Sequence, residues 1–383
     1  MYYRQLGRIP KKRHTIFKKE DDSLFREQVM GTKGFSGTQS ILYHHHMPTE
    51  VSKSELIGGY TPQFEKQGAL SHRHFYTDSI EKNGDAIGGR EYLLGNADLY
   101  IGFINVSKAM EQYYRNGDGD EMLFIHHGSG KIRTMFGTLT YRPGDYVVIP
   151  IGTIYQLLPE EKTSVLFLEA FSQITTPKRY RNEYGQLLEH SPFCERDIRG
   201  PEKLETYTEK GEFEVITKSR GQLHRHVLAH HPLDVEGWDG YLYPWVFNIE
   251  DFEPITGRIH QPPPVHQTFE GHNFVVCSFV PRLYDYHPEA IPAPYYHSNV
   301  NSDELLYYVK GNFMSRKGVK EGSITLHPSG IPHGPHPGKT EGSIGKKETL
   351  ELAVMIDTFR PLNIVSSGEE IEDKGYMYTW LEK

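Results

Sequence analysis

From Tyr92 onward the chain runs as short apolar stretches separated by turn formers. The stretches at 99–104, 122–125, 131–136, 146–149 and 164–168 lie between Gly, Asn-Gly or Pro-Gly signals. Strands of that length at that spacing predict an antiparallel sandwich or barrel. Pro143-Gly144-Asp145 reads as a turn that delivers the chain into the buried strand 146–149. A charged, loop-rich region at about 175–204 follows, and strand-like runs resume at 212–216 and 241–247. After the proline-dense Gln261-Pro262-Pro263-Pro264, a second strand set begins near Asn273. Helical periodicity is scarce, and residues 106–113 are the best short helix candidate. The segment before Thr61 is rich in turn formers and is expected to wrap over a sheet or reach a neighbouring subunit. The pattern predicts an all-β-dominated protein of two jelly-roll or β-sandwich domains with few short helices. Residues 1–245, including the extended arm, are expected to form the first domain and 246–383 the second.

The second strand set repeats the first. Residues 297–311 align without a gap on 114–128, which sets Asn299 on Asn116, Asp303-Glu304 on Asp120-Glu121 and Gly311 on Gly128. Further on, 322–333 aligns on 144–155, matching Gly322 with Gly144, Pro328 with Pro150 and Gly330 with Gly152. Shared glycines, prolines and apolar alternation mark one scaffold used twice. The chemistry differs, because Tyr114 and Tyr155 stand where the second copy has His297 and His333.

His297 and Asn299 share a strand face, since residues two apart do. Glu304 returns toward them after the turn at 300–303, and His333 ends the later turn at 328–333. Two imidazoles and one carboxylate form the facial set that suits Fe(II), leaving about three of six octahedral positions open for an organic substrate and dioxygen. A tetrahedral Zn²⁺ uses the same ligand types, so the set alone leaves both metals open. Glu121 has no imidazole partners and is expected to make structural hydrogen bonds.

Composition narrows the alternatives. A chain of 383 residues can bury a core in each of two or three domains. The net charge of -8, with no long basic stripe, argues against nucleic acid as a ligand. The basic opening from Arg8 to Arg13 is countered by Glu20, Asp21 and Asp22, which reads as a solvated arm. Cys194 and Cys277 are far apart and exclude a disulfide framework or thiolate zinc site; Cys277 lies in an apolar run as a small buried hydrophobe. No apolar stretch reaches the roughly 18 residues of a membrane span, and the N-terminus lacks a signal-peptide core, so a cytoplasmic address is expected. Of the remaining histidine clusters, His44-His45-His46 alternates faces in a strand and does not readily chelate jointly, whereas His72/His74 and His224/His226 share faces but lack a carboxylate at the repeated spacing; each is expected at a subunit or domain interface instead.

The pattern His297-x-Asn299, then Glu304 and Gly311, resembles the first cupin motif, and the turn from Pro328 to His333 resembles the second. More specifically, Pro294-Tyr295-Tyr296-His297-Ser298-Asn299 and Pro332-His333-Gly334-Pro335 resemble the iron site of the homogentisate 1,2-dioxygenase family. Residues 237–245 and 258–264 resemble that family's approach to the active site, and 115–120 a motif of its N-terminal domain. The matches cover about residues 90–340. The resemblance implies a bicupin whose first copy is metal-free and whose second is a non-haem Fe(II) centre of the extradiol type. It implies opening of the homogentisate ring with dioxygen to give 4-maleylacetoacetate, a step of tyrosine and phenylalanine breakdown, in a homo-oligomer built of trimers or paired as a hexamer. His297, Glu304 and His333 take the iron-ligand positions, and His260 that of the acid/base histidine. Two positions depart from the family pattern: the turn before Glu304 is one residue longer, and Phe313 stands where a substrate-contacting tyrosine is found.

Candidate substrate contacts are His333, Asn299, Tyr296, Arg282 and Phe313. Asn299 orients a ligand or bonds the substrate, or else caps a turn. Tyr295 and Tyr296 line an aromatic pocket or simply pack. Arg282 pairs a substrate carboxylate bidentately, or else makes a surface ion pair. His327 is expected to support the metal ligands rather than to be one, because its counterpart Ile149 faces a core. Two other functions stay open: a dioxygenase for another hydroquinone-type acid such as gentisate, and a non-catalytic bicupin that binds a small molecule.

Overall fold

A computed structural model describes residues 2–66, 68–311, 313 and 315–381. Strands dominate, and the α-helix found among the described residues is the short Ser366–Glu370. An eight-stranded sheet forms the middle of the molecule, in the order Ile198–Arg199, Trp245–Asn248, Asp145–Ile149, Asp120–His127, Thr163–Ala170, Leu99–Val106, Arg90–Gly95 and Asn363–Ile364. On one face, Leu123, Ile125, Val147, Ile149 and Val165 share a core with Tyr114, Ile132, Leu139, Tyr155 and Leu157 of a seven-stranded sheet. These two sheets are the first cupin barrel. The intervening residues Met122, Phe124, Tyr146, Val148 and Leu166 point the other way and pack with Phe274, Val276, Leu305, Tyr307 and Ile356 of a six-stranded sheet. A strand buried on both faces has no reason to alternate, which is why Asp120–His127 is buried at every position but its last.

The six-stranded sheet runs Gln267–Gly271, Phe274–Phe279, Leu352–Thr358, Asp303–Lys310, Ser323–His327 and Arg73–Tyr76. It is the second cupin unit, and here the period of two is visible. Leu305, Tyr307 and Val309 face the first barrel, whereas Glu304, Leu306 and Tyr308 line a cavity on the opposite side. The chain crosses between the two units. Arg73–Tyr76, early in the sequence, pairs with Ser323–His327, and Asn363–Ile364, near its end, pairs with Arg90–Gly95. The boundary expected at 245/246 falls at the first residue of Trp245–Asn248, a strand that pairs with Asp145–Ile149 of the first barrel. The early segment, rather than wrapping over a sheet, supplies strands of one: Arg4–Gly7, Arg26–Gly31 and Gln39–His44 join Val235–Gly240 in a four-stranded sheet.

The repeat holds at the level of register. Tyr114 pairs with Tyr155 as His297 pairs with His333. Glu121 lies opposite Ile149 as Glu304 lies opposite His327. The Gly152 N–H donates to Asn116 O at 2.8 Å and the Gly330 N–H to Asn299 O at 2.9 Å. The glycine pairs Gly144/Gly322 and Gly152/Gly330 all have positive φ, between +79° and +85°, which any side chain would strain. Asp120 accepts from the backbone N–H groups of Ile151 and Ile174, and Asp303 accepts from those of Ser329 and Leu362.

Residues 106–113 are not a helix. Val106 ends a strand, the Ser107 N–H donates to Gly84 O, and the Met110 N–H donates to Leu157 O. Tertiary partners take the donors a helix would have used, and they override local propensity. No helix among the described residues is long and apolar enough to cross a membrane.

Candidate metal centre

The two backbone hydrogen bonds between His297 and His333, both 2.9 Å, bring these residues side by side, with ring centroids 4.2 Å apart. Glu304 enters from the strand Asp303–Lys310. Its Oε2 lies 3.5 Å from His297 Nε2 and its Oε1 lies 3.5 Å from His333 Nε2. One donor atom from each of the three residues falls within 4.8 Å of the others, so His297, Glu304 and His333 could hold one metal ion. His327, fully buried on the neighbouring strand, sits 2.8 Å through Nδ1 from Glu304 Oε1 and stacks on His333 at 4.6 Å.

The electrostatics fit a cation. Burial works to raise Glu304, yet the His297, His327 and His333 imidazoles around it hold it well below the usual carboxylate range. Burial pushes His327 down to about 3, so its imidazole is neutral and Nδ1–H donates to the carboxylate. Most telling, His333 is 2% exposed and neither of its ring nitrogens has a hydrogen-bond partner. An imidazole buried with both nitrogens unpaired is costly in a native structure, and a metal ion is the partner that this donor set suits.

The same cavity, about 460 Å³, is lined by His260, Arg282, Tyr295, His297, Asn299, Glu304 and Phe313. His260 is half-exposed, and its Nδ1 lies 3.2 Å from Asp285 Oδ2, which also accepts from the Gln261 N–H. The Asn299 carbonyl accepts from the Gly330 N–H, across the turn that delivers His333. Tyr295 packs its ring near His260 and His297, while Tyr296 lies outside the lining and against Gly334. Arg282 turns to Glu351 Oε1 at 3.1 Å and to Val280 O. Phe313 is buried edge-on against Tyr308, 4.5 Å between centroids.

The cavity also holds groups that sequence reasoning missed. Asp357 lies opposite Glu304 in the sheet, has an unpartnered Oδ1, and is pushed up to about 8 by burial and then by Glu304. Its only signal was an acid inside the apolar strand Leu352–Thr358, in phase with the cavity residues Ala353 and Met355. His266, pushed down to about 3 by burial, and the buried Arg316 line the wall as well. His72 bonds Pro332 O and stands edge-on to His327, a position that the strand crossover alone creates.

The equivalent place in the first copy contains no imidazole. The Arg90 guanidinium, 1% exposed, pairs with Glu121 Oε1 and donates to the Tyr155 hydroxyl at 3.0 Å. The Tyr155 hydroxyl in turn donates to Glu121 Oε2 at 2.8 Å. Arg90 also lies 5.2 Å from the centre of the Tyr114 ring. Glu169, the register counterpart of Asp357, is likewise neutralised, by the buried Lys218 ammonium and the Tyr92 hydroxyl. The other histidine clusters are held structurally. His44 bonds Asp234 and Gln28, His74 bonds Ser323, and His226 bonds Thr217. A second grouping, His126/His127/Glu321, has its buried member already occupied by Tyr307 OH and Val309 O.

A family model described as the homogentisate 1,2-dioxygenase N-terminal region matches residues 82–249. A protein of Saccharolobus solfataricus provisionally named a dioxygenase is 42% identical over 99% of both chains. The homogentisate 1,2-dioxygenase of Bradyrhizobium diazoefficiens is 26% identical over 68% of this chain, which spans 60% of that enzyme's length. Among solved structures, a cupin 2 conserved barrel domain protein from Leptotrichia buccalis aligns with 76% of this chain and 98% of its own, at 12% identity and a TM-score of 0.36. Full-length similarity, and a matched region that coincides with the first barrel, agree with the double scaffold: the chain belongs to the homogentisate 1,2-dioxygenase family.

Proposed function

We propose that this protein is an Fe(II)-dependent ring-cleaving dioxygenase that converts homogentisate and dioxygen to 4-maleylacetoacetate in tyrosine and phenylalanine breakdown. The observation that carries the reading is the convergence of the His297, Glu304 and His333 donor atoms beside a cavity that His260, His297 and Glu304 line. The family relatives named as homogentisate 1,2-dioxygenases support it further. When bound, ferrous ion supplies open coordination positions and the redox chemistry that dioxygen requires. The chain's own residues do the rest. Asp285 fixes the His260 tautomer by accepting a hydrogen bond from Nδ1–H, which leaves Nε2 as the base for a phenolic hydroxyl. His327 donates to Glu304 and holds that carboxylate in the orientation its role as a ligand needs. Leu306, Phe313 and Met355 give the cavity an apolar wall suited to an aromatic ring and to exclusion of water. The family relationship extends this reading to a homo-oligomer, a trimer or hexamer.

A second reading is a dioxygenase for another hydroquinone-type acid. It is favoured by Phe313, which offers no hydroxyl where the family pattern has a tyrosine. Oxygen uptake by Fe(II)-loaded protein, measured with homogentisate and gentisate side by side, separates the two. Uptake with homogentisate, and a rise in absorbance from the maleyl diketo product, is expected. Uptake with gentisate alone overturns the first reading, and no uptake with any hydroquinone acid leaves a non-catalytic bicupin.

A further inference from the structure

We propose that Arg316, rather than Arg282, is the anion-recognition residue of this cavity, and that it selects aromatic substrates bearing a carboxylate side arm. The proposal rests on the ring-cleavage reading only for the identity of the aromatic acid. The two arginines of the cavity differ in their partners. Arg282 has its charge met by Glu351 at 3.1 Å. Arg316 is buried, lines the cavity, and makes no ion pair with a carboxylate among the described residues. Its guanidinium donates through Nη1 to the Gly334 carbonyl and lies close to the Tyr308 hydroxyl, while Nε has no acceptor.

Those partners are neutral, so they orient the guanidinium without cancelling its charge. The Gly334 carbonyl follows directly on His333 and also accepts from Trp380 Nε1 at 3.2 Å, and the Tyr308 hydroxyl is tied to Thr325 Oγ1 at 3.1 Å. The plane of the cation is therefore fixed before any ligand arrives. The first copy shows what this scaffold does when a buried guanidinium has no ligand to meet: Arg90 is closed off by Glu121 and Tyr155. The carboxylate whose charge acts on Arg316 is Glu304, and its oxygens already face three imidazoles. A buried cation is retained at such a cost where an anion completes it, and the planar fork of guanidinium suits a carboxylate. Phe313 and Leu306, also in the lining, offer the ring surface next to that anchor.

The test compares wild type with Arg316→Met and Arg316→Lys. Calorimetric titration with phenylacetate and with its neutral analogue 2-phenylethanol reads recognition without requiring turnover. Wild type is expected to prefer the carboxylate by about 10- to 100-fold, the range of a charge-assisted contact. Arg316→Met is expected to lose that preference while binding 2-phenylethanol unchanged, and Arg316→Lys to recover part of it. In turnover, KM for the carboxylate substrate rises in Arg316→Met while kcat changes little. Wild-type protein with no preference for phenylacetate overturns the proposal, whether or not the variants fold. So does an Arg316→Met protein that keeps the preference, or an Arg282→Met protein that loses it. If homogentisate proves not to be the substrate but the phenylacetate preference depends on Arg316, the anion site stands and only the identity of the acid is revised.

Discussion

The two cupin copies place carboxylates at the same register positions and then neutralise them by different means. In the first, Glu121 and Glu169 face each other across neighbouring strands and are met by the Arg90 and Lys218 side chains. In the second, Glu304 and Asp357 occupy the same pair of positions, but Glu304 is met by three imidazoles and Asp357 keeps an unpaired oxygen at the cavity. The difference is between charge satisfied internally and charge left for something external. A covalently attached guanidinium fills its site permanently, so the first barrel is a closed core. An imidazole pair leaves room for an exchangeable ion and a substrate, so the second is open. On the proposed reading, one scaffold serves structure in one copy and chemistry in the other, and a few side chains decide which.

The comparison breaks most visibly at the ligands. Replacing His297 or His333 by Ala, or Glu304 by Gln, is expected to abolish stoichiometric metal and lower oxygen uptake by at least about 10³-fold, because one donor of a three-residue set is lost. Tyr155→Phe in the first copy should leave metal content at the wild-type level; elemental analysis of purified protein reads both. Next in size is Arg90→Met, which strands Glu121 in the core and should cost roughly 3–5 kcal/mol in denaturant melts. Adding Glu121→Leu should recover most of that loss, since the charge left unpaired is then gone. A recovery absent from the double variant would mean that Arg90 acts through packing alone.

The smallest effect sharpens the shared frame. Burial pushes Asp120 up to about 6, even though the backbone N–H groups of Ile151 and Ile174 bond it. The folded state therefore holds this proton more tightly than the unfolded chain, where the carboxyl titrates near 3.9. Its stabilising contribution is full below about pH 4 and is lost as pH rises through about 6. The stability gap between wild type and Asp120→Asn should shift against wild type by the order of 2 kcal/mol from pH 4.5 to 7, as urea unfolding at the two pH values measures. A gap independent of pH would assign Asp120 no titration in this range.

The repeated frame was legible because its signals are local. Gly144 and Gly322 need positive φ, and Pro150 and Pro328 mark the same turn, so the alignment also returned the Tyr114/Tyr155 and His297/His333 pairs. What faces those pairs was not legible. Arg90 lies upstream of the aligned segments, and Lys218 and His72 arrive from strands or loops far away in sequence. Arg316 follows the aligned block and carries no motif, and Asp357 sits inside an apolar run that reads as core. The exchange of Arg73–Tyr76 and Asn363–Ile364 between the units was hidden for the same reason, since strand pairing over such separations leaves no local pattern. Residues 106–113 misled in the opposite direction: their helical composition is real, but Gly84 and Leu157 claim the backbone donors.

The central claim, that the second copy holds a metal where the first holds a guanidinium, is tested most directly by anomalous diffraction at the iron edge from crystals grown with Fe(II). The account predicts one peak per chain, within bonding distance of His297, Glu304 and His333, and none beside Glu121. A peak at His126/His127/Glu321 instead, or no peak in protein that consumes oxygen, would contradict it.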